Sequence, residues 1–129
     1  MLQRFLNWWR RKRQERLESA LFERHIVVAV TDAGISAQYP DGTIEAIAWD
    51  QVDCIAIETN DTGPWGADFW WLVEGSTRRC AYPQGATGET EAIRVLAERF
   101  PGFSYEAVAD ANCSTSNQRF VCWERKSVP

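Results

Sequence analysis

The chain has 129 residues, 45% of them hydrophobic and 25% charged, with a net charge of -4. That size suits one domain with one core, and that balance is that of a soluble globular protein. No apolar run approaches the length of a membrane-spanning helix, and none has the shape of a secretory signal, so the expected location is the cytoplasm.

The charge is unevenly spread. Residues 1–25 carry seven basic and three acidic groups, and the remainder carries seven basic and fifteen acidic. A cationic leader therefore precedes an acidic body, which disfavours nucleic acid and favours a basic partner or simply solubility. Residues 2–22 read as a helix, because Leu2, Phe5, Leu6 and Trp9 recur at helical spacing and Leu17, Ala20 and Leu21 resume the stripe. Trp8 and Trp9 lie beside Arg10, Arg11, Lys12 and Arg13. Aromatic and basic groups so placed suit a membrane interface, but a short apolar stripe of this kind more often packs, as a helix that docks on its own body or on a partner. Two units follow: a cationic amphipathic helix over 1–24 and a single α+β domain over 25–129.

From His25 the period changes to two. Strands are expected over 25–31, 35–39, 43–49, 52–59, 69–74, 78–82 and 119–125, with turns at Asp32-Ala33-Gly34, Pro40-Asp41-Gly42 and Gly75-Ser76-Thr77. Two helices separate the last two strands. Thr87 is the expected cap of the first, with Glu89 and Glu91 in its first turn and Ile93, Leu96, Ala97 and Phe100 as its buried stripe. Pro101-Gly102 stops it, and Ser104 caps the second. Strands in a meander followed by helices predict an α+β fold. Its expected form is an antiparallel, six- to seven-stranded bent sheet or a partly open barrel of pleckstrin-homology-like (PH-like) kind, with an N-terminal helix and two C-terminal helices.

Phe69, Trp70 and Trp71 occupy consecutive positions of one strand. Alternate side chains point to opposite faces, so both faces of that sheet carry large aromatics. One face meets the core. The other is expected to be covered by the N-terminal helix, a second subunit or a partner protein.

No nucleophile, metal-binding or phosphate-binding motif stands out. His25 is the only histidine, and the four cysteines (Cys54, Cys80, Cys113, Cys122) are not in zinc-binding pairs. Free thiols are the default, with a bridge between Cys113 and Cys122 as the alternative. Asp61 and Asp68 flank a Gly-Pro-Trp-Gly loop. They suit local turn capping better than acid–base work or cation binding. The 83–88 loop precedes a helix but lacks a basic residue and leads into Glu89 and Glu91, so it is not a phosphate loop. No cofactor and no metal are expected. Trp65, on the loop tip, is either a lid over the fold or a binding anchor. With Glu58, Asp61, Asp68 and Trp70 it makes the expected partner-binding set.

The segments I-A-W-D-Q-V, T-N-D-T-G-P-W-G-A-D-F-W, C-A-Y-P-Q-G-A, P-G-F and S-T-S-N-Q-R-F-V-C-W span much of the body. In these the chain resembles a group of small bacterial proteins, some of which act as immunity proteins that block toxins. The resemblance implies no catalytic residue. The expectation is a non-enzymatic protein-binding module, with a basic toxin as one partner. The alternative is a peripheral membrane protein held by its leader.

Overall fold

The computed structural model describes residues 25–60 and 69–126. The described residues form seven strands: β1 Val27–Val30, β2 Gly34–Gln38, β3 Ile44–Ala48, β4 Cys54–Thr59, β5 Phe69–Glu74, β6 Arg79–Pro83 and β7 Gln118–Glu124. A short 3-10 turn, Trp49–Gln51, links β3 to β4, and two helices, α1 Glu89–Arg99 and α2 Tyr105–Asn112, lie between β6 and β7. The helix expected over 1–24 lies outside the described residues.

The expected single bent sheet or PH-like barrel is not formed. The strands make two open antiparallel sheets, one of three strands in the order β1-β2-β3 and one of four in the order β6-β5-β4-β7. β3 and β6 face each other across the gap, but no ladder joins them. The reason lies on the β6 edge. Pro83 there has no amide to donate. The Ala81 amide instead donates to Glu45 Oε1 at 2.8 Å, and the Tyr39 hydroxyl donates to the Ala81 carbonyl. Two side chains from the first sheet thus occupy the backbone groups that a closing strand would need, and an edge satisfied in this way does not recruit another strand.

The core fills the space between the sheets and α1. Ile26, Val28, Ile35, Ala37 and Ile47 enter from the first sheet, and Ile55, Ile57, Trp71, Val73 and Tyr82 from the second. Ala92, Leu96 and Phe100 close it from α1. The expected stripe is shifted, since Ile93 and Ala97 are only partly buried while Ala92 is fully so. At its centre Trp71 stacks on Tyr82 (centroids 6.3 Å apart, planes 17° apart) and on Phe103 (6.5 Å, 15°). Such aromatic contacts add to the area each ring buries.

The start of α1 also differs from expectation. Thr87 does not cap it, because its backbone is committed to β1: the Val28 amide donates to the Thr87 carbonyl at 2.7 Å, and the Thr87 amide to the Ile26 carbonyl at 2.9 Å. Gly88 takes the cap position with φ at +93°. Only glycine suits it, since a Cβ would also collide with the Val28 carbonyl oxygen. The second cap is as expected: Ser104 Oγ accepts the Ala107 amide at 3.1 Å. All four cysteines are free, so Cys113 and Cys122 are not bridged.

Candidate functional site

The two faces of the four-stranded sheet have different chemistry. Trp71, at the core face, is fully buried, and its Nε1 donates to Glu89 Oε2 at 2.9 Å. Glu89 Oε1 also accepts the Gly85 amide at 3.2 Å. That carboxylate thus takes up an amide of the 83–88 loop, the position an anion would need.

The opposite face presents Trp70, Leu72 and Glu74 from β5 and Cys54, Ala56 and Glu58 from β4, paired in register as Glu58 with Trp70, Ala56 with Leu72 and Cys54 with Glu74. Arg119 of β7 stands opposite Glu58. Its guanidinium lies 3.2 Å from Glu58 and 2.5 Å from Glu74, and donates to Cys54 Sγ at 3.7 Å. The side chain therefore runs lengthwise along the sheet, above Ala56, which is fully buried. One half of the second face is shielded by a charged side chain and its two carboxylates, not by a second apolar layer. The pairing with Glu74, then that with Glu58, holds Arg119 firmly protonated.

The other half opens into a groove of about 440 Å3. Trp70, Leu72 and Ala81 line its sheet side, and the β2–β3 hairpin contributes Tyr39, Asp41, Thr43 and Glu45. Glu58 and Arg79 complete it. The hairpin is held in place by the bonds from Tyr39 and Glu45 to Ala81 described above, so the groove walls are fixed by the contacts that keep the two sheets apart. Burial, then the charge of Glu45, pushes the Tyr39 hydroxyl up to about 12. The Asp41 carboxylate accepts the Thr43 amide at 2.9 Å, which holds it below the usual carboxylate range. The groove is thus lined by three acidic side chains, Asp41, Glu45 and Glu58, against Arg79 and the Arg119 that pairs with Glu58.

Of the expected partner-binding residues, Glu58 and Trp70 come together as cross-strand neighbours. Asp61, Trp65 and Asp68 lie outside the described residues, as do Trp8, Trp9, Arg10, Arg11, Lys12 and Arg13. Tyr39, Asp41, Glu45 and Arg79 belong to the groove and were not singled out by sequence reasoning. Glu45 carried a usable signal: it shares the strand phase of Ile47, so it is a carboxylate at an inward-phased position.

His25 is exposed in a turn before β1. Among the described residues no three His, Cys, Asp or Glu side chains gather as a metal site would require. None of the described helices is long and apolar enough to cross a membrane. No known protein family matches the chain, and no curated protein or solved structure is significantly similar to it.

Proposed function

We propose that the chain is a non-enzymatic protein-interaction module that receives a basic segment of another protein in the groove beside Trp70. The observation that carries this reading is the pairing of a half-buried indole with flanking carboxylates: Trp70 is the register partner of Glu58, and Glu45 and Asp41 face the same groove. A lysine or arginine side chain satisfies both parts, since its alkyl stem covers Leu72 and the indole while its charge meets the carboxylates. Trp is also enriched at interface hot spots, and acidic groups steer a basic partner toward the surface. Toxin neutralisation, which the resemblance implies, is the biological form of this reading. A basic toxin would be the partner.

The test is affinity capture from the native host at low and moderate salt with the wild-type chain, Trp70→Ala and Glu45→Gln. Glu45→Gln removes a charge while keeping an acceptor for the Ala81 amide. The expected result is one basic protein, captured by the wild type, weakened by salt and lost or reduced in both variants. Equal capture by all three chains, or none by the wild type, would overturn the proposal. Flotation with anionic liposomes, comparing the full chain with one lacking residues 1–22, examines the membrane alternative, which rests on residues outside those described.

A further inference from the structure

None of the strands β1, β2 and β3 places a charged side chain on the outer face of the three-stranded sheet. The row nearest the start of β1 is Val27, Gln38 and Ile44, and the next is Ala29, Ser36 and Ala46. The remaining pair is Gly34 and Ala48. Ile44 is 62% exposed and Val27 45%. Beyond them a shallow trough of about 380 Å3 is sunk over the small residues Gly34, Ser36, Ala46 and Ala48, with Arg78 reaching it from the β5–β6 turn. The surface is apolar at one end and recessed at the other, the shape that receives large aliphatic side chains.

We propose that this face is the docking platform for the chain's own segment 14–22. Three observations select that occupant. The first is position. The chain enters β1 at the Val27–Gln38–Ile44 end, after a turn at His25, so the preceding segment is tethered beside the most exposed apolar row. A tether of so few residues gives it an effective concentration that no free partner matches. The second is pattern. Leu17, Ala20 and Leu21 recur at helical spacing within that segment, and they supply the bulk that Ser36 and Ala46 lack. The third is area. Three strands of about five residues span roughly 14 by 17 Å, or about 240 Å2. A stable dimer buries about 800 Å2 on each partner, so a second copy is poorly served. A helix about 10 Å wide covers the platform with roughly ten residues. The platform therefore takes only the part of the leader next to β1.

Hydrogen exchange read by mass spectrometry on the full chain tests this. Amides in 14–22 should exchange at least about tenfold more slowly than an unstructured segment, at every protein concentration. Ala46→Glu, at an exposed position, should return them to the unstructured rate, and so should the double change Leu17→Glu, Leu21→Glu made from the other side. Val121→Glu, on the other sheet, should leave the protection intact. Unprotected amides in the wild type would overturn the proposal. So would protection that survives both platform and segment variants. Protection that vanishes on dilution would assign the platform to a second copy and equally refute it.

Discussion

Trp71 and Glu89 are joined by a 2.9 Å hydrogen bond from the indole Nε1 to the carboxylate Oε2. It ties the middle of β5 to the first turn of α1. The indole is fully buried, so no water can replace the acceptor without rearrangement. Glu89→Ala should therefore destabilise the fold by about 1–3 kcal/mol, the cost of an unpaired buried donor. Glu89→Gln keeps an acceptor and should lose clearly less. Urea unfolding followed by tryptophan fluorescence measures both, and equal losses would show that charge at the helix start, not the indole bond, is what matters.

Two glycines separate backbone strain from steric collision. Gly88 and Gly42 have nearly the same positive φ, +93° and +89°. A Cβ at Gly42 meets nothing within 4 Å, whereas one at Gly88 runs into the Val28 carbonyl. Gly42→Ala should cost about 1–2 kcal/mol, the left-handed conformation alone. Gly88→Ala should cost more, because it also separates α1 from β1. Chemical denaturation of the two variants side by side reads the difference directly, and a Gly88→Ala loss no greater than that of Gly42→Ala would contradict the close approach.

The strands were legible because alternation and turn chemistry are local. Gly42, read as part of a turn, sits in one with φ at +89°. The grouping of strands into sheets was not legible, because it depends on bonds between residues 36 and 42 positions apart, Glu45 and Tyr39 to Ala81. Nothing near Ala81 in the sequence announces them. Thr87 shows the opposite failure. Its capping signature is good, but a tertiary pairing with β1 claims its backbone first. At the groove, Glu58 and Trp70 were legible as an acidic edge and an outward aromatic, and the hairpin residues that complete it were not. The second face of the aromatic strand was expected to need an apolar cover. A single arginine spanning two glutamates meets part of that need, which a reading of apolar residues alone cannot foresee.

The four thiols should fall into distinct reactivity classes. Cys113 is exposed, Cys54 half-buried beside Arg119, and Cys80 and Cys122 buried. Burial pushes both buried thiols up to about 12, and it raises Cys54 as well, against the opposing pull of Arg119. The thiolate is the reactive form, so accessibility and ionisation act in the same direction. With a disulfide reagent at pH 8, one thiol should react promptly and be abolished by Cys113→Ser. Cys54 should follow slowly, and the other two only on unfolding. Prompt reaction of Cys80 or Cys122 in the native protein would be inconsistent with the packing of the four-stranded sheet.

Alkaline titration reports on the contact that separates the sheets. The Tyr39 hydroxyl is raised from its ordinary value of 10.0 to about 12, by burial first and then by Glu45. Between those two values the unfolded chain releases the Tyr39 proton while the folded chain retains it. The folded state then binds more protons, so stability is unaffected by this group below pH 10 and falls as the pH rises toward 12. Ionisation also removes the proton that the hydroxyl donates to the Ala81 carbonyl. Tyr39→Phe should be less stable than the wild type at pH 8, by about 1 kcal/mol for the lost bond. It should then lose less between pH 10 and 12, because the raised tyrosine is gone. Cys80 and Cys122 are raised by burial as well and give both proteins a shared background decline that begins nearer pH 9. The informative quantity is therefore the difference in slope between the two chains, measured as urea midpoints across the alkaline range. Parallel slopes would mean that Tyr39 ionises as freely folded as unfolded, and that its bond to Ala81 does not hold the hairpin against β6.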